Sequence, residues 1–169
     1  MRLAEFTDYS LRVLMYCAAH PQERVTINAL AQGYGVSKNH LMKVVNALAR
    51  QGWLETTRGR GGGLRLLQEP HSIRVGDVVR ATETDFRMAE CFDAGSNQCT
   101  LTPSCRLRGL LDQALQAYLR ELDGATLADI ARPLPGRSPL SRSTPSRSAL
   151  SHSPPSRAQV IMPRSRKAA

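Results

Sequence analysis

Thr26-Ile-Asn-Ala-Leu-Ala-Gln-Gly-Tyr-Gly-Val-Ser37-Lys-Asn-His-Leu-Met-Lys-Val-Val-Asn-Ala-Leu-Ala-Arg50 is the stretch that decides the fold. Thr26 is a good N-cap for a short helix holding Ile27, Leu30 and Ala31. That helix stops at Gly33-Tyr34-Gly35, where glycine supplies a tight turn, and Ser37 caps the next helix, which runs to about Gln51. Two helices joined by a few residues including glycine form a helix-turn-helix. At 100° per residue, Leu41, Val44, Val45 and Leu48 fall on one narrow stripe of the second of these helices. Asn39, Lys43, Asn46 and Arg50 fall on the opposite side, within a span of about 60°. This outward face offers amides and cations and no carboxylate, whereas an ordinary solvated face mixes charge signs. Asparagine pairs with adenine, and lysine or arginine with guanine, all from the major groove. Ser37, Lys38, Asn39, His40, Lys43, Asn46 and Arg50 are therefore candidate DNA contacts.

Downstream, Trp53–Thr57 and Leu64–Leu67 are β-prone runs around Arg58-Gly-Arg-Gly-Gly-Gly63, which reads as a hairpin. Arg58 and Arg60 put two guanidiniums on a tip flexible enough to approach a phosphate backbone or minor groove. A nucleotide-binding loop is excluded, because no Lys-Ser/Thr follows the glycines and no helix opens after them. A helix-turn-helix with a basic hairpin is a winged helix. Upstream, Thr7 or Asp8 can cap a first helix reaching about Ala19, with Leu11, Leu14, Met15 and Ala18 as its apolar face. Cys17 lies inside that helix and reads as a small buried hydrophobe.

Beyond the hairpin, Gly76–Ala81 continues as a short helix towards Thr84. Then come Cys91, Cys99 and Cys105, spaced C-x7-C-x5-C in a segment rich in turn formers. Thiolates gathered on one loop suit a soft metal centre, zinc or iron–sulfur, although the spacing matches no zinc-finger pattern and free thiols remain an alternative. Arg106 and Arg108 follow directly, and cations beside a thiol favour the ligating thiolate. Three cysteines leave a tetrahedral centre one ligand short. From Arg106 a long helix carries Leu107, Leu110, Leu111, Ala114, Leu115, Tyr118, Leu119 and Leu122, a stripe too wide for a winged helix to cover alone. Packing against a second copy covers it, and a dimer sets two recognition helices about one DNA turn apart. Thr126–Asp129 has capping-box form for a last short helix.

The chain divides into a winged helix-turn-helix domain (1–75), a cysteine loop with a dimerisation helix (76–132) and a Ser/Pro/Arg tail (133–169). Their net charges are +5, −3 and +7 within the overall +9. Sixteen of the last 37 residues are Ser or Pro, and acids and aromatics are absent there, so disorder is expected. The basic front points to nucleic acid. No apolar run approaches the roughly 18 residues of a membrane span, and there is no signal-peptide pattern. With four cysteines, this points to a soluble protein of the reducing cytoplasm. No C-x-x-C and no His, Asp and Ser constellation suggests an enzyme.

Met1–Tyr9, Tyr34-Gly-Val-Ser-Lys-Asn-His-Leu41 and Arg58–Gly63 resemble the winged-helix repressors of the NsrR/IscR superfamily. Gly76-Asp-Val-Val-Arg80, Leu101–Leu107 and Glu121–Asp129 resemble its NsrR branch of nitric-oxide sensors. The likeness covers about residues 1–132. It implies a homodimeric repressor of a double-stranded DNA operator. It further implies an iron–sulfur cluster, 2Fe-2S or 4Fe-4S, held by Cys91, Cys99 and Cys105, with Asp8 of the other subunit as the remaining ligand. Nitric oxide attacking the cluster would release the DNA. Alternatives are an IscR-type sensor of cluster supply or redox state, and a constitutive DNA-binding protein with a structural zinc site.

Overall fold

The computed structural model describes residues 2–131. Six helices and one hairpin follow in order: α1 (Glu5–Ala19), α2 (Ile27–Tyr34), α3 (Lys38–Arg50), β1 (Leu54–Thr57), β2 (Gly63–Leu66), α4 (Val75–Thr82), α5 (Arg106–Gly124) and α6 (Leu127–Ile130). This is the expected mainly α fold with a small β-wing. The expected disorder of 133–169 concerns residues outside the described ones.

The helix-turn-helix forms as its capping residues require. Thr26 Oγ1 accepts the Ala29 N–H at 3.1 Å, and Ser37 Oγ accepts the His40 N–H at 3.2 Å. Gly35 ends α2 at φ +66°, a left-handed conformation that favours glycine. Leu41, Val44, Val45 and Leu48 are at most 1 % exposed. Strands β1 and β2 pair antiparallel from Leu54 opposite Leu66 to Thr57 opposite Gly63. The wing is anchored at its root. Val25 and Leu64 exchange two backbone hydrogen bonds of 2.9 and 2.8 Å, tying the segment before α2 to β2.

The start of α1 departs from expectation. Neither Thr7 nor Asp8 caps it: the N-cap is Ala4, which makes no side-chain cap bond. The Asp8 N–H already donates to the Ala4 carbonyl, so Asp8 lies inside the first turn. The buried stripe of α1 runs Thr7, Ser10, Val13, Leu14 and Cys17, while Leu11, Met15 and Ala18 are only partly buried. Thr7 is drawn into the core by that stripe, which removes it from a capping role, and its hydroxyl has no hydrogen-bond partner. The Ala4 N–H is met from far along the chain, by the Glu83 carboxylate at 3.1 and 3.3 Å.

The core of the winged helix recruits residues from beyond position 75. Val78 of α4 and Leu127 of α6 are each 1 % exposed and join the same cluster as Val13, Leu41 and Trp53. Helix α6 has the expected capping box, with Asp129 accepting from both the Thr126 N–H and its hydroxyl. The Leu127 N–H donates to the Ile73 carbonyl at 2.8 Å, which brings the chain after α5 back to the segment between the wing and α4.

Helices α4 and α5 meet at Gly76. A Cβ there would run into the Asp123 carboxylate and come 3.0 Å from Arg80 Nη1. Arg80 grips Asp123 with two hydrogen bonds of 2.6 Å, and Arg74 donates to the Asp123 carbonyl at 2.7 Å. The Arg80 and Asp123 side chains are 40 and 38 % exposed, so solvent screens the pair. Steric displacement decides the cost of a side chain here. Gly76→Ala should lower stability by about 1–3 kcal/mol in chemical denaturation, because α5 must shift or Asp123 must leave Arg80. Adding Asp123→Ala should recover part of that loss; no recovery would place the clash elsewhere.

Candidate functional site

Two sets of residues carry chemistry, one on α3 and the wing and one in the loop between α4 and α5. On the first, Lys38, Asn39, Lys43, Asn46 and Arg50 are all exposed, as are Arg58 and Arg60 at the wing tip. Among these, Arg50 Nε donates to its own helix, to the Asn46 carbonyl at 3.4 Å. His40 stands apart. Its ring is half-buried, edge-on to Tyr9 at 5.3 Å between centroids, and its Nε2 is buried without a hydrogen-bond partner. Ser37 spends its hydroxyl on the cap of α3. The outward face of α3 therefore carries cations and amides and no carboxylate. The wing's one carboxylate, Glu55, is tied up by Arg24 and Arg65, which holds its pKa below the usual range, Arg65 being the larger cause.

A tight turn at the wing tip keeps the two arginines together. The Gly62 N–H donates to the Gly59 carbonyl at 3.0 Å, and a Cβ on Gly62 would run into the Thr57 carbonyl. Only glycine fits there. Arg58 and Arg60 are thus presented by a defined turn rather than a floppy loop.

The second set is Cys91, Cys99 and Cys105, all half-buried and all free thiols. Cys91 lies in a short 3-10 turn (Glu90–Phe92), and Cys105 is the N-cap of α5. Its sulfur accepts the Arg108 N–H at 3.4 Å. The loop is shaped by side chains that sequence reasoning did not single out. Asp93 accepts from the Gly95 N–H at 3.0 Å, from the Ser96 hydroxyl at 2.8 Å and from Arg87 at 2.6 Å. Arg87 also reaches Asp85 at 3.0 Å. These bonds hold Asp93 below the ordinary carboxylate range, the Ser96 hydroxyl first, then the Gly95 amide and Arg87. Asn97 Oδ1 accepts the Cys99 N–H at 3.1 Å, and Thr102 Oγ1 donates to the Cys99 carbonyl at 2.8 Å. The Asp-Ala-Gly-Ser sequence at 93–96 is an Asx-turn signal that could have revealed this hub.

Asp8, the remaining expected ligand, is engaged elsewhere. Its carboxylate makes a two-point pair with Arg12, at 2.9 Å to Nε and 2.7 Å to Nη2. The Arg12 guanidinium also lies 5.5 Å from the centre of the Tyr9 ring. Among the described residues, no three His, Cys, Asp or Glu side chains converge as a metal-ion site requires, so the structure does not bring Asp8 and the three cysteines together. The donor chemistry nonetheless fits an iron–sulfur centre. Three uncommitted thiols share one side-chain-braced loop, and an N–H···S bond like that on Cys105 is a contact by which proteins tune such clusters. Cys17 does not belong to the set. It is 2 % exposed, and burial pushes its thiol up to about 12.

Above Cys105, the first turns of α5 lack a covering partner among the described residues. Leu107 and Leu110 are 60 and 62 % exposed, whereas Leu115 further along is 7 % exposed. No helix among the described residues is long and apolar enough to cross a membrane.

The sequence profile of the Rrf2 family, described as an iron-dependent transcriptional regulator, matches residues 3–133. The chain is 51 % identical over 133 residues to the HTH-type transcriptional regulator NsrR of Bacillus subtilis strain 168, covering 78 % of this chain and 91 % of that one. Among solved structures, the fold is similar to IscR of T. potens, with a TM-score of 0.61, 22 % identity and coverage of 77 and 85 % of the two chains. It is also similar to oxidised CymR of Staphylococcus aureus, with a TM-score of 0.63, 22 % identity and coverage of 78 and 97 %.

Proposed function

The chain belongs to the Rrf2 family of transcriptional regulators, and on that premise we propose that it is a homodimeric repressor that senses nitric oxide through an iron–sulfur cluster. The observation that carries this is the trio of free, half-buried cysteines between α4 and α5, in a chain otherwise 51 % identical to a regulator named NsrR. Cys91, Cys99 and Cys105 would hold the cluster, with Asp8 of the second subunit as the fourth ligand. When bound, the cluster supplies the site at which nitric oxide reacts. Ligation through one Asp8 oxygen would leave the other for Arg12, so the cluster would link the start of α1 in one subunit to the cysteine loop of the other.

In this proposal Asn39, Lys43 and Asn46 read base edges, and Arg58 and Arg60 hold the sugar–phosphate backbone. Arg58→Ala should weaken binding to all duplexes alike and make the salt dependence of log K shallower by about one unit. Lys43→Ala should instead cost about 1–3 kcal/mol on the operator alone. A footprinting series with operator and random duplexes, at several salt concentrations, distinguishes the two classes; equal losses on both duplexes for Lys43→Ala would remove it from base reading.

The test of the whole proposal is direct. Full-length protein purified without oxygen should be brown, retain a duplex carrying its operator, and release it on titration with a nitric-oxide donor. Colourless protein whose DNA affinity ignores nitric oxide would overturn it.

A further inference from the structure

Helix α3 buries four of its large apolar side chains and leaves one outside. Met42 is 36 % exposed, while Leu41, Val44, Val45 and Leu48 are all but inaccessible. It stands four residues from Lys38 and from Asn46, hence on their side of the helix. It also lines a groove of about 380 Å³ between α3 and the wing, whose walls include Lys38, Asn46, Thr57 and Arg58 and whose lining holds no carboxylate. The exposed part of its thioether lies among the Lys38 and Arg58 cations and the Asn46 amide, so a partner that covers this groove with charge complementarity is a polyanion.

We infer that Met42 is a specificity-determining residue that seats on the 5-methyl group of a thymine in the major groove. Most of the major-groove edge of a base pair consists of hydrogen-bond donors and acceptors, and thymine adds a methyl. The neighbouring amides and cations of α3 can meet the polar edges, so this methyl is the feature left for Met42. Methionine suits the task, because its unbranched, polarizable chain adapts to a small convex group. Each operator half-site then carries a thymine at a fixed position, recognised by its methyl alone. This inference rests on the proposed reading of DNA by α3 and adds to it a contact that uses no hydrogen bond.

The experiment uses full-length protein purified without oxygen. Duplexes are first selected by it from a random-sequence pool, and each conserved thymine is then replaced by deoxyuridine, which removes only the methyl group. At one position per half-site the replacement should weaken wild-type binding about fourfold, the ~0.8 kcal/mol of one buried methyl group. Replacing both half-sites should weaken it about sixteenfold by the same measure. Met42→Ala should bind thymine and deoxyuridine duplexes equally, and Met42→Leu should keep the preference. Because Met42 is exposed, both variants keep their core, which circular dichroism checks. A Met42→Ala protein that still discriminates, or wild-type protein that binds a selected sequence with no methyl dependence anywhere, overturns this inference alone. Wild-type protein that selects no sequence at all overturns the proposed reading of DNA, and this inference with it.

Discussion

Alanine at any one of Cys91, Cys99 or Cys105 is expected to leave the anaerobically purified protein colourless and unable to hold its operator, while Cys17→Ala keeps both colour and binding. Two environments make the contrast. The three loop thiols are half-buried and free, on a segment whose turns are set by Asp93, Asn97 and Thr102. Removing the sulfur of Cys91 or Cys99 should therefore leave the loop folded and take away only a ligand, while Cys105→Ala also removes the acceptor of the Arg108 N–H. Cys17 is sealed in the core with its thiol raised to about 12, and its loss costs packing instead, about 1 kcal/mol for a small side chain. Visible absorption and operator binding of the four variants decide the matter. Coloured, operator-binding Cys99→Ala protein would exclude the three-cysteine site. Asp8→Ala belongs in the same series. It should give an altered spectrum if Asp8 ligates, and an unaltered one if its work ends with Arg12.

Glutamate at Leu110 should produce the second large effect, a monomer with operator affinity lowered about 10²–10⁴-fold, the loss expected when two linked half-site contacts become independent. Leu110 is 62 % exposed within one chain, so the substitution should change the stability of a single chain by no more than about 0.5 kcal/mol. With Leu107 it forms an apolar surface on the first turns of α5 that the rest of the described chain does not cover. Analytical ultracentrifugation and operator titration check the result. A Leu110→Glu protein that stays dimeric at unchanged affinity would place the dimer contact on another face.

Local signals in the sequence were enough for the helix-turn-helix. Thr26, Gly35 and Ser37 act within three or four residues of where they stand, and the α3 stripe is a matter of period alone. The start of α1 was not legible, because its N-cap amide is met by Glu83, 79 residues away, and burial of Thr7 overrides its capping preference. The cysteine trio was legible as a cluster in sequence. The Asp93 turn left a local signal, but its pairing with Arg87, six residues away in an irregular loop, leaves no periodic trace. Met42 was hidden for a different reason: a polar face is recognised by its polar members, and an apolar residue within it reads as noise.

The return of α6 to the segment after the wing bears on the order in which this protein can be made. A ribosome releases the helix-turn-helix first, and by residue 67 both strands of the wing have been synthesised. The cluster they belong to still lacks Leu127, and Ile73 waits for the N–H of that residue to reach its carbonyl. The core of the nascent DNA-binding region is therefore complete only after some sixty further residues have emerged, the cysteine loop among them. All three loop thiols leave the ribosome before Leu127 completes the core. A fragment ending at the wing would lack Ile73, Val78 and Leu127 of this core.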